Sequence, residues 1–125
     1  MKKVQFLCLL LFSSICYTQQ EIERDFMQAI SDGACDAIKL SLISGINPNL
    51  QNEAGDTALL VAVTYNRVDL VDLLIKTGAD VTLRNNDRWT PLQLAEFYDK
   101  AACYNNFNSD IVHILKNADI KNKGF

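Results

Sequence analysis

The stretch GDTALLVAV, residues 55–63, decides the fold because the chain carries a second copy of its outline 33 residues later. That copy is RWTPLQLA, residues 88–95, in which Thr90 stands where Thr57 stands in the first. A leading glycine could open a ligand-binding loop, but recurrence at a fixed spacing is typical of repeated architecture. We therefore interpret Gly55 as a turn residue that serves backbone geometry.

The 33-residue spacing extends well beyond this stretch, and each unit predicts two short helices. The residues that fall on the period include Ala29, Ala62, Ala95, Gly45 and Gly78. In the middle unit, Leu59, Ala62 and Val63 follow the spacing of one apolar helix face. Thr57 is expected to cap that helix through its hydroxyl group. Gly78 is expected to end the second helix in the left-handed conformation.

These units resemble ankyrin repeats, whose pattern includes T-P-L-H-x-A at a period of about 33 residues. Residues 90–95 (TPLQLA) depart from it at Gln93 alone, and residues 57–62 (TALLVA) depart at Ala58 and Leu60. Residues 78–81 (GADV) match another family segment. The resemblance implies an all-α solenoid of about three helix-turn-helix repeats with short β-turn fingers. We expect a repeat domain at 19–121, with repeats at about 22–53, 54–86 and 87–121, and a tail at 122–125.

Three departures from the family pattern carry their own expectations. The first repeat has Arg24 and Asp25 in place of Thr-Pro, which is typical of a solvated capping repeat. Arg88 stands where a turn glycine is usual. Residues 110–115 match residues 69–74 at an offset of 41, so about eight extra residues lie within 100–109. Asn117 is expected to end the last helix as Gly78 ends an earlier one.

The N-terminus has the order of parts of a secretory signal. Lys2 and Lys3 precede the apolar run VQFLCLLLF at residues 4–12, and small or polar residues follow. The run is shorter than the roughly 20 residues that span a bilayer. We expect residues 1–18 to be a signal peptide cleaved near Thr18, and a periplasmic or secreted location. An uncleaved anchor and a lipoprotein modified at Cys16 stay open, although bulky Ile15 disfavours the second.

Charge and cysteine content narrow the partners of the mature chain. Without residues 1–18 the chain keeps ten basic and fifteen acidic side chains, a net charge of about −5. With no clustered basic patch, we expect no nucleic-acid partner and no membrane insertion of the mature chain.

Cys35 and Cys103 lie two repeats apart in the implied solenoid. We expect free thiols, while a disulfide would need the insertion to fold back across the middle repeat.

Catalytic and metal-binding patterns are absent from the sequence. The one histidine, His113, has no cysteine or carboxylate set at metal-ligand spacing, and it aligns with Asp72 on an outward position. Phosphate loops, HExxH and Gly-x-Ser-x-Gly do not occur. We therefore predict no enzyme activity, no catalytic residues, no cofactor and no metal.

The resemblance implies binding through the finger tips and the exposed side of the first helices. The residues at those positions that we select as protein-binding are Glu53, Asp56, Tyr65, Arg84, Asp87, Trp89, Phe97 and Tyr98. Tryptophan, tyrosine and arginine dominate interface energies. The alternative is that these aromatic side chains pack within the fold. Arg67 lies at the helix-to-helix edge, and Arg67→Ala is expected to change little as the matched control for Trp89→Ala in partner binding.

The sequence favours a monomeric exported module that binds another protein as an adaptor or stoichiometric inhibitor. An immunity protein against an exported toxin belongs to this class. The alternative is a periplasmic accessory factor that stabilises or assists an envelope enzyme.

Overall fold

The computed structural model describes residues 19–101 and 109–122, and the helices there form three consecutive pairs. The first helix, α1, covers residues 19–32. The others are α2 (Cys35–Ile43), α3 (Ala58–Thr64), α4 (Val68–Lys76), α5 (Pro91–Ala101) and α6 (Ser109–Asn122). Within these ranges the extended structure is a single bridge between Gln51 and Thr57. The prediction of an all-α repeat solenoid with β-turn fingers is confirmed. The expected signal segment, Cys103 and residues 123–125 lie outside the described residues.

The middle repeat is buried more completely than its sequence predicts. Thr57 caps α3 as expected, since its Oγ1 accepts a 3.3 Å hydrogen bond from the Leu60 backbone N–H. All six residues from 58 to 63 are buried, however, and not only the predicted apolar face. The cause is position, because α3 packs against both α4 and α5 and shares one core with Phe26 of α1. Ala62 is fully buried there, as a close approach of short helices requires.

The turns after the second helices follow the prediction in two repeats and break it in the third. Gly45 and Gly78 have φ values of 97° and 95°, so both end their helices in the left-handed region. Asn117 instead stays helical, because α6 runs on to Asn122, and the prediction of a turn there is wrong. After Gly78 the turn buries Val81 at 7% exposure, whereas Ile120 at the matching position is 50% exposed. In the continued helix, Ile120 therefore lacks the burial that Val81 has in its turn.

Each finger is closed by an asparagine. The side-chain oxygens of Asn52 and Asn85 each accept hydrogen bonds of 2.9–3.0 Å from backbone N–H groups two and four residues later. The turn position that follows is left-handed in both fingers, with φ of 75° at Gly55 and 68° at Arg88. A Cβ on Gly55 would lie 2.7 Å from the backbone nitrogen of Asn86. Gly55 thus serves backbone geometry, as predicted, and lets the second finger approach the first.

The extra length of the third repeat begins as helix. α5 ends at Ala101, four residues beyond the position equivalent to the end of α3 at Thr64. The rest of the extra segment, residues 102–108, is outside the described part of the chain. In the two described ranges, no helix combines the length and the apolar character that a membrane span needs.

Candidate binding surface

Two open grooves lie on the side of the molecule formed by the fingers and the first helices of the repeats. The N-terminal groove, about 630 Å³, runs between α1 and the first finger. It is lined by Gln20, Glu23, Arg24, Met27, Gln28, Ser31, Leu50, Gln51, Asn52, Glu53, Ala54 and Val61. The C-terminal groove, about 500 Å³, follows α5 and the second finger. It is lined by Arg84, Asp87, Arg88, Trp89, Gln93, Glu96, Phe97 and Lys100.

The C-terminal groove brings together four of the eight residues selected from the sequence: Arg84, Asp87, Trp89 and Phe97. The indole of Trp89 is half-buried, and its ring centroid lies 5.4 Å from that of Phe97 at an angle of 57°. That separation and tilt are favourable for an aromatic pair. Phe97 remains 52% exposed, so the pair presents apolar surface to the groove. Trp89 thus packs within the repeat and also lines the groove.

The two selected tyrosines lie apart from this groove. Tyr98 is half-buried and meets the far edge of Phe97, with ring centroids 5.8 Å apart. Tyr65 is 53% exposed at the end of α3. Both were selected together with Trp89 as protein-binding residues, but neither lines the groove. The reason is geometric: successive helix residues are rotated by about 100°, so Phe97 and Tyr98 face different directions. Tyr65 shares the repeat position of Tyr98.

The two selected acidic residues of the first finger have different environments. Glu53 is exposed and lines the N-terminal groove. The carboxylate of Asp56 accepts a 2.9 Å hydrogen bond from the side-chain amide of Asn85. Gln51 makes a parallel link, because its amide donates to the carbonyl of Arg84 at 3.1 Å. Asp56 therefore ties one finger to the next, and its carboxylate is already engaged.

Sequence reasoning missed lining residues in both grooves. The side of α1 that faces the first finger was not considered, because the first repeat departs from the family pattern. Its groove residues are Gln20, Glu23, Arg24, Met27, Gln28 and Ser31. In the C-terminal groove, Arg88, Gln93, Glu96 and Lys100 were missed. Arg88 could have been found from the sequence, because it is an arginine at a turn position where the family pattern has glycine.

The described residues offer polar groups for recognition but no cluster that could hold a metal ion. In residues 19–101 and 109–122 no cluster of three histidine, cysteine or acidic side chains could hold a metal ion. His113 is exposed, as predicted, and Cys35 is a half-buried free thiol. The pKa of Asp80 is lowered by hydrogen bonds from the Thr82 hydroxyl and, next, the Thr82 backbone. Asp80 lies in the turn after α4, outside both grooves.

Gln93 performs a local role beside the groove. Its backbone N–H donates to the Thr90 hydroxyl, and its side-chain oxygen accepts from the Thr90 backbone N–H, both at 3.2 Å. This is a reciprocal capping box at the start of α5. The departure of Gln93 from the T-P-L-H-x-A pattern therefore preserves the helix start.

Comparison with known proteins matches this architecture. A family model described as ankyrin repeats, in three copies, matches residues 26–124. An ankyrin repeat-containing protein of Schizosaccharomyces pombe is 38% identical over 92 residues, which cover 73% of this chain and 44% of that protein. The human Notch-regulated ankyrin repeat-containing protein is 35% identical over 89 residues, covering 67% of this chain and 76% of its own length.

A third similarity is local. A glycerophosphocholine phosphodiesterase of Schizosaccharomyces pombe is 44% identical over 55 residues, which are 5% of its length. The chain spans less than half of either fission-yeast protein. With three repeats matched across most of its length, this chain belongs to the ankyrin-repeat family, and its repeats form a protein–protein interaction module.

Proposed function

We propose that this chain is an exported module that binds a partner protein through the C-terminal groove, as an adaptor or stoichiometric inhibitor. The observation that carries the proposal is the Trp89–Phe97 pair, which presents apolar surface in a groove that Arg84 and Arg88 also line. Aromatic and arginine side chains are the residues that most often dominate binding energies. Ankyrin-repeat proteins are typically non-catalytic, which agrees with a binding role.

The proposal of export is supported by the order of residues at the N-terminus, with Lys2 and Lys3 ahead of the apolar run at 4–12. N-terminal sequencing of the protein from the envelope fraction of its host should begin at Gln19 or close to it. An intact Met1 on protein recovered from the cytosolic fraction would refute export and leave the binding role to be tested separately.

The binding role is tested by affinity capture from the host envelope followed by mass spectrometry. The captures compare the wild type with Trp89→Ala and with a control, Leu40→Ala. Leu40 is 66% exposed on α2 and lines neither groove, which makes it a matched apolar truncation. One protein should co-purify with the wild type and the control and be lost with Trp89→Ala, at equal far-ultraviolet circular dichroism. Loss with Leu40→Ala alone would place binding on another surface.

The identity of the captured protein then separates the two candidate roles. Within the proposed class we favour an immunity protein, because one small module with an aromatic groove suits stoichiometric inhibition of an exported toxin. Capture of a toxin whose activity falls in proportion to added chain would support this role. Capture of an envelope enzyme that is stabilised and not inhibited would support the accessory role instead.

A further inference from the structure

Arg88 occupies a backbone conformation that glycine adopts at lower cost. Its φ is 68°, and the equivalent residue of the first finger is Gly55 with φ of 75°. The two fingers close with the same asparagine hydrogen bonds, so the turn itself does not require an arginine. Left-handed non-glycine residues are uncommon, and such strain gathers at functional sites. Arg88 is therefore a candidate for a role outside its own turn.

That side chain lines the C-terminal groove beside Arg84. Within the described ranges, neither guanidinium forms an ion pair with a carboxylate. Arg84 donates one hydrogen bond, from Nη1 to the Arg88 carbonyl at 3.2 Å. A shortage of carboxylates is not the reason, because the described residues include fifteen acidic and nine basic side chains. Among the described residues, this groove thus holds two arginines without a carboxylate partner.

The C-terminal groove has more positive than negative side chains once its paired carboxylate is set aside. Glu96 is paired with Lys116 at 3.4 Å, and Lys116 lies on α6, outside the groove lining. Asp87 is then the remaining acidic residue of the lining, against the two arginines Arg84 and Arg88. The N-terminal groove has the opposite balance, with Glu23 and Glu53 against Arg24. Charge therefore distinguishes the two grooves on one surface.

We propose that the C-terminal groove recognises an acidic peptide segment, in which a carboxylate side chain stands next to an aromatic or aliphatic one. This inference rests on the proposed function and names its partner chemistry. The planar guanidinium groups bind carboxylates with two parallel hydrogen bonds. The Trp89–Phe97 pair provides the apolar contact for the neighbouring side chain. Arg88 is the residue that determines specificity for the carboxylate.

The test begins with a library of random peptides displayed on phage and selected against the full-length chain. Enriched sequences should carry aspartate or glutamate beside an aromatic or aliphatic residue. One enriched peptide is then synthesised with its acidic residues intact and with each replaced by its amide. The amide version should bind about tenfold more weakly, because charge-assisted hydrogen bonds are lost. No enrichment, enrichment of basic sequences, or equal affinities for the two peptides would overturn the inference.

Arg88→Gly supplies the decisive variant because its two effects have opposite directions. This variant should bind the acidic peptide about tenfold more weakly than the wild type and bind the amide peptide with unchanged affinity. Its urea unfolding midpoint should stay the same or rise, because glycine relieves the strain in the turn. The control is Arg24→Ala, which removes an arginine from the N-terminal groove and should bind the acidic peptide like the wild type. A purely structural Arg88 would give a lower urea midpoint with unchanged peptide selectivity, which would contradict the proposal.

The outcomes also separate this inference from the proposed function. Capture of a partner that is lost with Trp89→Ala, together with equal affinities for the two peptides, would leave the proposed function standing and overturn the acidic specificity. Selective binding of the acidic peptide without any captured partner protein would support the groove chemistry and count against the adaptor or inhibitor role.

Discussion

Arg67 Nη2 donates a 2.9 Å hydrogen bond to the backbone carbonyl of Ser31, a residue of the preceding repeat. The same guanidinium covers Gly33, where an added Cβ would meet its atoms at 3.1–3.2 Å. Arg67 therefore joins the first repeat to the second through both a hydrogen bond and close packing. The long side chain of Arg67 reaches across the repeat boundary, so Arg67→Ala is a control for partner binding but not for stability.

Arg67→Ala should lower the free energy of unfolding by about 1–2 kcal/mol, since the Ser31 carbonyl loses its charged partner. The loss is limited because Arg67 Nε is itself buried without a hydrogen-bond partner and is removed by the same change. Urea unfolding followed by circular dichroism measures it. Lys39→Ala, on the exposed side of α2, is the control and should stay within about 0.5 kcal/mol of the wild type. Equal values for the two variants would mean that the bridge does not hold the repeats.

Two glycines with similar φ values should differ in their tolerance of a methyl group. Gly78→Ala meets no atom within 4 Å, so it should cost only the left-handed strain of about 1–2 kcal/mol. Gly55→Ala adds a clash with the Asn86 backbone and should cost about 1–3 kcal/mol more. The urea unfolding free energies of the two variants give this difference directly. Equal losses would show that the fingers separate freely.

Replacing asparagine by glycine should have opposite effects on the unfolding free energy at two sites. Asn66 has φ of 54°, at the repeat position that Gly33 fills with φ of 77°, and its buried Oδ1 has no hydrogen-bond partner. Asn66→Gly should therefore raise the unfolding free energy by about 1 kcal/mol. Asn117 lies inside α6, so Asn117→Gly should lower it by a few tenths of a kcal/mol. A stabilised Asn117→Gly would contradict the helical assignment there.

The features predicted correctly from sequence depend on neighbours along the chain. The Thr57 cap and the left-handed Gly78 are decided within one helical turn, and the 33-residue period repeats those local signals. What the sequence did not reveal depends on contacts between repeats. The Arg67–Ser31 hydrogen bond joins residues that are 36 positions apart. Nothing in the local sequence distinguishes Arg67 from an arginine that is exposed to solvent. Asn117 repeats a turn pattern without the burial that stabilises the turn after Gly78.

The candidate surface was predicted only in part for the same reason. Trp89, Phe97 and Arg84 were correctly grouped because they lie close in sequence around one finger and one helix. The contribution of α1 to the N-terminal groove requires the fold, since α1 and the first finger are distant in the chain. Tyr98 was misplaced because one residue along a helix turns a side chain by about 100°.

The turn after α4 should make a small contribution to the free energy of unfolding that is lost in acid. The hydroxyl and backbone N–H of Thr82 donate to Asp80 at 2.6 and 2.8 Å and hold the pKa of Asp80 below its ordinary value of 3.8. A carboxyl with a lowered folded pKa contributes stability above its unfolded pKa and loses it as the pH falls through the folded value. Thr82→Val should be less stable than the wild type at neutral pH, by less than about 1 kcal/mol.

That difference should narrow as the pH falls from about 4 through the lowered pKa of Asp80, because below that pKa the carboxyl is protonated in both variants. Urea unfolding across a pH series measures it, with Thr82→Ser as the control that keeps the hydroxyl. A difference that persists unchanged in acid would mean that Thr82 stabilises the turn by packing and not through the carboxylate.

The last prediction concerns whether the aromatic wall of the C-terminal groove exists before a partner arrives. Trp89 and Phe97 lie at a favourable separation and tilt, and such pairs couple by about 0.5–1.5 kcal/mol beyond their buried area. A double-mutant cycle on unfolding free energy, with Trp89→Ala, Phe97→Ala and both together, should return a coupling in that range. Alanine at 89 keeps the backbone N–H that donates to Asn85, so the finger stays closed in every variant.

A second cycle with Tyr65 in place of Phe97 should be additive within about 0.5 kcal/mol, because the described ring contacts include none between Tyr65 and Trp89. Coupling near zero in the first cycle would mean that the rings move independently, and a partner would then have to order them on binding.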